Sequence, residues 1–131
     1  MAALHFEFVS PESVLFSGDV DQVDLPGSEG DMGILPGHAP LVTTLRPGIV
    51  TIFRGGQREP VVVIGGLAEV SPAGLTVLAD KAEARGNFDM AALAAEIKDA
   101  EEDVADSKDD AERDRLARHL EQLKALQAAL A

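Results

Sequence analysis

The sequence predicts an N-terminal antiparallel β-sandwich or barrel that is followed by a C-terminal antiparallel two-helix hairpin. Two observations support this prediction. All 12 glycines and all seven prolines lie within residues 1–86, and residues 91–131 contain neither. Apolar residues form short runs between turn signals in the first part, and recur at helical spacing in the second. We therefore divide the chain into a β-domain, residues 1–86, and a helical hairpin, residues 87–131.

The β-domain begins with a strict alternation, in which Leu4, Phe6 and Phe8 are separated by polar residues. This period of two is typical of a half-buried strand. Gly55-Gly56-Gln57 and Pro72-Ala73-Gly74 have the composition of tight turns. Short strands without intervening helices favour a sandwich or barrel. The further predicted strands are Val20–Leu25, Leu41–Leu45, Ile49–Phe53, Val61–Ile64, Leu67–Val70 and Leu75–Ala79.

Residues 27–40 form the most distinctive segment, with four glycines and two prolines. Pro36 and Pro40 each remove an amide donor, so we expect an ordered loop and not a regular central strand. Its side chains that could bind ions or react are Glu29, Asp31 and His38. Ordered loops on rigid scaffolds often carry binding residues, so this loop is the first candidate site.

Two apolar stripes predict the helical hairpin. A polar segment, residues 106–110, separates them and contains Asp109, which we expect to cap the second helix. Both stripes are thin and rich in alanine, so little apolar area is available to hold the hairpin in place. The first stripe comprises Met90, Leu93, Ile97, Ala100 and Val104. The second comprises Leu116, Leu120, Leu123 and Leu130, with Leu126 beside it.

Composition excludes several function classes. A formal net charge of -12 argues against nucleic acid and against direct insertion into anionic lipid. The absence of cysteine excludes disulfides and thiolate metal sites. No apolar run approaches the roughly 18 residues that span a bilayer, and the N-terminus lacks the features of a signal peptide. We therefore expect a protein that is cytosolic, or that is bound to something on the cytosolic side.

No catalytic residue, metal site or cofactor is predicted, because the chain contains no recognised catalytic or nucleotide-binding motif. The three histidines, His5, His38 and His119, fall on unrelated elements and have no convergent ligand set. Glu29 and Asp31 could form an acid pair, but solvated loop charges are the favoured interpretation. As contacts to a partner, these two carboxylates are stronger candidates.

Three stretches resemble one protein family. The segment from Gly27 to Leu41 reads GSEGDMGILPGHAPL, and Phe16-Ser17-Gly18 precedes it. Val77-Leu78-Ala79-Asp80 follows near the end of the β-domain, and the tail from residue 88 is rich in alanine and charge. Together they resemble the epsilon subunit of bacterial F-type ATP synthases over essentially the whole chain, and PGHAPL is the most specific part of the match.

The resemblance implies a non-catalytic central-stalk subunit that couples the gamma subunit to the c-ring, as a peripheral component on the cytoplasmic face of the bacterial inner membrane. It implies a contact with the c-ring through three residues of the glycine-rich loop, Glu29, Gly30 and Asp31. It implies a contact with gamma through Ser10, His38 and Thr43.

The resemblance also implies a regulatory role for the helical hairpin, which in the family either folds against the β-domain or extends toward the alpha and beta subunits and blocks ATP hydrolysis. Extended helices meet acidic loops there, so the acidic first helix of this chain disfavours strong inhibition. Some members bind ATP through a signature at the start of the first helix. Here Glu83 and Asp89 are present, but Ala92 replaces the arginine that would contact phosphate, so we expect ATP binding to be weak or absent.

Two other function classes remain open from the residues alone. One is a stand-alone β-sandwich module that binds a small ligand or peptide and dimerises through the helical hairpin. The other is a small hydrolase that uses Glu29 and Asp31, although the chain offers no nucleophile and base to accompany them.

Overall fold

The computed structural model describes residues 3–131. It divides into two compact units, the first ending at Phe88 and the second running from Asp89 to Ala131. The first unit contains every strand and the second contains two helices. No helix within the described residues is long and apolar enough to cross a membrane.

The first unit is a ten-stranded sheet. Its strands are β1 (Leu4–Val9), β2 (Val14–Val20), β3 (Gln22–Gly27), β4 (Gly30–Ile34), β5 (Leu41–Leu45), β6 (Gly48–Arg54), β7 (Gln57–Val63), β8 (Gly66–Ser71), β9 (Gly74–Ala79) and β10 (Ala82–Ala84). They are hydrogen-bonded in the order β10-β7-β6-β3-β5-β8-β9-β1-β2, and β4 pairs with β3 outside this path.

Nearly all neighbouring strands are antiparallel, as the sequence predicts, but β1 and β9 form a parallel pair. Phe6 lies opposite Leu75 and Phe8 lies opposite Val77 in that pair. A parallel pair needs a long connection, and here the connection is the chain that forms β2 to β8. This pairing brings the first and the ninth strands together within one half of the sheet.

One hydrophobic core fills the first unit. Buried side chains from β1 and β9 belong to the same cluster as those from β3 and β6, so the sheet curls until its two halves face each other. Phe6 and Phe8 are completely buried, with ring centroids 5.6 Å apart. No polar or charged side chain is buried within the described residues. The predicted fold class is therefore confirmed.

The predicted turns are largely correct. The β6–β7 connection is Gly55-Gly56, and both residues have positive φ, at 59° and 79°, as a two-residue hairpin turn requires. Val62 and Val63 are successive and both buried, which confirms that the end of β7 is covered on both faces.

Two strand assignments from the sequence need correction. The predicted strand Val20–Leu25 is two strands, because β2 ends at Val20 and β3 begins after Asp21. The segment 27–40 is also not entirely loop, since β4 occupies Gly30–Ile34. β4 pairs only with β3, so it is not a central strand. Its sequence gives little strand signal because two of its five residues are glycine.

The second unit is an antiparallel hairpin of α1 (Met90–Asp106) and α2 (Asp110–Leu130). Asp109 caps α2 by accepting a hydrogen bond from the Ala111 amide, which confirms the predicted cap. Lys124 Nζ lies 3.7 Å from Glu101 Oε2 and joins the two helices. The buried residues are Leu93, Ile97, Leu123 and Leu126. Leu126 was predicted to lie beside the apolar stripe of α2. Its burial shows that it belongs to the packed face of the helix.

Candidate interaction site

The β3–β4 connection presents the predicted acidic residues at the tip of a tight hairpin. Gly27 pairs with Gly30, which leaves Ser28 and Glu29 as the two tip residues. A Cβ at Gly27 would lie 2.7 Å from the Gly30 carbonyl oxygen, so only glycine fits there without a shift of backbone. Gly30 has a φ of 142°, which other residues rarely adopt. We call residues 27–31 the acidic hairpin.

The two carboxylates of the acidic hairpin have different surroundings. Asp31 accepts an ion-paired hydrogen bond from Arg46 Nη2, and its side chain remains 81% exposed. Glu29 is exposed and makes no hydrogen bond or ion pair to any of the described residues. Because neither carboxylate is buried, this arrangement is suited to contact a partner and not to move protons during a reaction.

His38 lies in the segment that connects β4 to β5. Its backbone amide donates to the Leu35 carbonyl at 3.1 Å, and its Nδ1 lies 2.7 Å from the Ala39 carbonyl oxygen. A carbonyl can only accept, so Nδ1 carries the proton and Nε2 remains available to a partner. His38 lines an open cleft of about 350 Å³ together with His5 and Pro72.

Ser10 lies at the other end of β1, in the turn before β2. Its hydroxyl donates to the Ser13 carbonyl at 3.4 Å, and its amide donates to the same oxygen at 2.9 Å. Ser10 lines a smaller cleft of about 230 Å³ together with Glu12 and Lys81. His38 and Ser10 therefore lie at opposite ends of β1, and they do not form a single local site.

One face of the sheet connects these positions. On β5, β8, β9 and β1, every second side chain points away from the core, and we call this the outer face. On β2 a register shift interrupts the alternation, so that Phe16 pairs with the buried Phe8 while Val14 pairs with Val9 on the outer face. Cross-strand pairing aligns an apolar row across it: Leu67 opposes Leu78, Leu78 opposes Val9, and Val9 opposes Val14. Leu67 is 37% exposed, Leu78 50% and Val14 65%. Val42, also on the outer face, is 60% exposed.

The apolar row runs from the acidic hairpin to Ser10. At one end, Thr44 opposes Leu67 and donates a hydrogen bond to Ser28 in the hairpin tip. At the other end, Ser10 directly follows Val9. Exposed apolar side chains that adjoin one another in a patch are a feature of protein interaction sites. This row was not predicted from the sequence, although apolar pairs such as Leu67-Ala68 and Val77-Leu78 put apolar side chains on both faces of their strands.

Thr43 lies apart from the outer face. It alternates with Val42 and Thr44, and its partner across the sheet is the buried Ala68, so its side chain points to the inner side of β5. Its hydroxyl donates to the Thr44 carbonyl at 3.0 Å. Ser10, His38 and Thr43 are therefore not brought together, and on β5 the residues that are exposed on the outer face are Val42 and Thr44.

A charged cluster occupies the opposite end of the outer face from the apolar row. His5 Nε2 lies 2.8 Å from Glu7 Oε1, and His5 Nδ1 lies 3.3 Å from Asp19 Oδ1. These hydrogen bonds, first that to Glu7 and then that to Asp19, raise the pKa of His5 above its ordinary value of 6.5. Hydrogen bonds from Ser17 and then His5 lower the pKa of Glu7 below 4.5.

The resemblance connects Glu83 and Asp89 with nucleotide binding. In the structure Asp89 has a structural role, and Glu83 is an exposed residue of β10. Asp89 is the N-cap of α1 and accepts a hydrogen bond from the Ala92 amide at 3.0 Å. Glu83 is exposed on β10, opposite Val62 of β7. No group of three histidine, aspartate or glutamate side chains within residues 3–131 could hold a metal ion.

Comparisons with known proteins give one consistent result. Residues 3–85 match the family described as the beta-sandwich domain of the ATP synthase delta/epsilon chain. An ATP synthase epsilon chain from Bradyrhizobium sp. (strain ORS 278) is 50% identical over 130 residues, covering 99% of this chain and 96% of that one. The epsilon chain of Rhodopseudomonas palustris (strain HaA2) is 51% identical with the same coverage.

Solved structures agree with this result. A chain in the cryo-EM structure of the Euglena gracilis mitochondrial ATP synthase (OSCP, F1 and c-ring) is similar with a TM-score of 0.79 and 28% identity, over 100% of this chain and 83% of that one. A chain from the central stalk and c-ring of the Tetrahymena thermophila enzyme shares the fold, with a TM-score of 0.68, 10% identity, and coverage of 96% and 94%.

These matches confirm the resemblance, the fold class and the prediction of a non-catalytic subunit, since the relatives over the whole chain are named as epsilon chains. The relatives span the β-domain and the helical hairpin alike, because they cover 99% of the chain. This chain therefore belongs to the family of ATP synthase delta/epsilon chains.

Proposed function

We propose that this chain is the central-stalk subunit that couples gamma to the c-ring in a proton-translocating F-type ATP synthase. The full-length similarity to bacterial epsilon chains supports this assignment. The related Euglena chain comes from an assembly whose description includes F1 and the c-ring. In this proposal the chain is a peripheral subunit on the cytoplasmic face of the bacterial inner membrane.

The observation that carries the proposal is the apolar row on the outer face. In our proposal gamma covers this row, because burial of Leu67, Leu78 and Val14 would remove from water the apolar surface that the isolated subunit exposes. Gamma would meet Ser10 at the row itself, and it would have to extend along the outer face to reach His38 Nε2 at the other end of β1. Thr43 would take part only through its neighbours Val42 and Thr44.

The acidic hairpin is the proposed contact with the c-ring. Glu29, Gly30 and Asp31 form a narrow exposed projection with two carboxylates, and a basic loop of the ring would be complementary to it. Exposed charges of this kind set orientation and association rate more than affinity. The hairpin tip is hydrogen-bonded to β5, and β5 lies next to the apolar row. A contact with the ring would therefore be linked through β5 to a contact at the apolar row.

The helical hairpin is the proposed regulatory arm, and residues 1–86 are proposed to suffice for the stalk contacts. All residues assigned to gamma or the c-ring precede residue 86. An extended hairpin would approach the alpha and beta subunits, where the acidic residues of α1 oppose a contact with acidic loops. We therefore propose weak inhibition of ATP hydrolysis and no nucleotide site at Glu83 and Asp89.

Copurification with gamma tests the proposal. Leu78→Glu places a carboxylate in the middle of the apolar row, while the exposed position leaves the core intact. Leu35→Glu is the matched control, because Leu35 is similarly exposed but lies outside the row. We expect the first variant to weaken gamma binding by roughly 10- to 100-fold, as for a central interface residue. Unchanged binding by folded Leu78→Glu would exclude the outer face as the gamma site.

A further inference from the structure

Arg46 connects β5 to the acidic hairpin. It directly follows β5 and donates three hydrogen bonds to residues of β3 and β4. Its backbone amide donates to the Pro26 carbonyl at 3.0 Å, its Nη1 donates to the Gly27 carbonyl at 2.5 Å, and its Nη2 donates to Asp31 Oδ1. One arginine therefore ties both strands of the acidic hairpin to the remainder of the sheet.

Few other interactions hold the acidic hairpin. β4 pairs only with β3, and β3 pairs with β5 at the single position where Gly27 opposes Leu45. The remaining links to β5 are the hydrogen bonds between Ser28 and Thr44. Among the described residues, Arg46 is the only cation in an ion pair with the hairpin. Its guanidinium is well suited to this role, because its planar fork can serve two acceptors at once.

Arg46 also separates the roles of the two carboxylates. It fixes Asp31 and offsets its charge, although most of the Asp31 side chain remains accessible. Glu29 has no such partner among the described residues. The uncompensated negative charge of the hairpin therefore lies at Glu29, and the orientation of the hairpin depends on the pair formed by Arg46 and Asp31.

We propose that Arg46 is a positioning residue for the contact between the acidic hairpin and the c-ring. It acts through Asp31 and the Gly27 carbonyl, and it leaves Glu29 as the residue that meets basic charge on the partner. This inference rests on the c-ring contact proposed above, and it adds a residue outside the glycine-rich segment to that contact.

The test measures ATP-driven proton pumping per ATP hydrolysed in membranes that carry the assembled enzyme, with Arg46→Ala, Arg46→Lys and, as a control, Arg54→Ala. Arg54 pairs with Glu59 away from the hairpin. We expect Arg46→Ala to lower coupling about two- to fivefold, the range of an exposed ion pair. Arg46→Lys should lower coupling less than Arg46→Ala does. Lysine keeps the positive charge, but its ammonium group lacks the planar guanidinium that serves two acceptors at once. Arg54→Ala should behave as wild type.

A double-mutant cycle distinguishes positioning from general destabilisation. If Arg46 acts through Asp31, the variant that combines Arg46→Ala with Asp31→Asn is little worse than either single variant. In addition, Glu29→Gln should reduce the salt dependence of coupling, whereas Arg46→Ala should retain or increase that dependence, because Glu29 keeps its charge and Asp31 loses the cation that offsets its own.

Failure of the inference and failure of the proposed function give different results. If Glu29→Gln and Asp31→Asn leave coupling unchanged at every salt concentration, the c-ring contact itself is wrong. If those two variants lower coupling while Arg46→Ala matches wild type, only the role of Arg46 is overturned. Full additivity of Arg46→Ala and Asp31→Asn would also overturn it. If the alanine variant is poorly folded, Arg46→Lys replaces it, and coupling equal to wild type in the lysine variant would overturn the role of the guanidinium fork.

Discussion

Thr44 Oγ1 donates a hydrogen bond to Ser28 Oγ at 2.8 Å, and the Ser28 amide donates to the Thr44 carbonyl at 2.9 Å. Thr44 is the outer-face residue opposite Leu67, and Ser28 is one of the two tip residues of the acidic hairpin. The proposed contacts with gamma and with the c-ring therefore share β5. In the proposed coupling role, these two hydrogen bonds would link the two interfaces directly.

We predict that Gly27→Ala destabilises the β-domain by about 1–3 kcal/mol, the usual cost of inserting a methyl group into filled space. The new Cβ would lie 2.7 Å from the Gly30 carbonyl oxygen and 3.0 Å from Met32 Cε. Denaturant unfolding of the isolated subunit measures this change. Gly86→Ala is the matched control, because nothing lies within 4 Å of a Cβ there. Equal stability of the two variants would show that the hairpin relaxes around the methyl group.

We predict that the His5 cluster makes the stability of the β-domain depend on pH. The pKa of His5 is raised in the folded state by its hydrogen bonds to Glu7 and Asp19, so protonated His5 stabilises the fold. This contribution is complete below the unfolded pKa of 6.5, and it disappears as pH rises through the higher folded pKa. The lowered pKa of Glu7 acts in the opposite sense, with stability present above 4.5 and lost as pH falls through the folded value.

The measurement is an NMR titration of the His5 imidazole together with melting temperatures of wild type and His5→Gln. The difference in melting temperature should be largest between about pH 4.5 and 6.5, and should vanish at high pH. Glu7→Gln removes the strongest partner, so it should bring the imidazole midpoint down toward 6.5. A wild-type midpoint at or below 6.5 would contradict the predicted cluster.

We predict that Asp89→Ala weakens α1 without affecting the proposed stalk contacts. Loss of an N-cap hydrogen bond costs about 1 kcal/mol of helix stability, and Asp89 accepts one from the Ala92 amide. Circular dichroism at 222 nm during heating measures the helical unit, and copurification with gamma measures the β-domain. Asp109→Ala, which removes the cap of α2, is the parallel variant. Loss of gamma binding by folded Asp89→Ala would contradict the proposed division of roles between the two units.

We predict that the isolated subunit binds ATP weakly or not at all in calorimetric titration with magnesium. Asp89 is occupied as a helix cap, and Ala92 offers no cation. The missing charge-assisted phosphate contact corresponds to roughly ten- to hundredfold in affinity. Micromolar binding would show that other cations, such as Arg113, form the site. Ala92→Arg is the converse variant, and a gain of affinity would indicate that the pocket geometry is otherwise intact.

Much of the fold could be predicted from the sequence because glycine and proline residues clearly separate its secondary-structure elements. Glycine and proline end at residue 86, and the alternation of Leu4, Phe6 and Phe8 leads directly to a buried face of β1. The strand β2 was not predicted. Most of its side chains are exposed, and its sequence therefore shows no alternation of apolar and polar residues. The parallel pairing of β1 with β9 was also missed, since a pairing between residues about 70 apart leaves no local signal.

The sequence identified the segment that carries the candidate site. It did not identify the residues from other strands that complete the surface. The glycine spacing singled out residues 27–40, and the acidic hairpin lies within it. Arg46 is 15 residues from Asp31, so its role depends on strand pairing that the sequence alone does not show. The apolar row is likewise formed by residues of four strands that become neighbours only through register.

Site-specific cross-linking tests the central claim most directly, because the natural chain contains no cysteine and each introduced cysteine is therefore unique in this subunit. Leu78→Cys and Glu29→Cys would be treated with a short bifunctional reagent in membranes that contain the assembled enzyme. We expect Leu78→Cys to join gamma and Glu29→Cys to join the c-ring, with Leu35→Cys as the exposed control. Cross-links from Leu78→Cys that never include gamma, or from Glu29→Cys that never include the c-ring, would contradict the proposed coupling role.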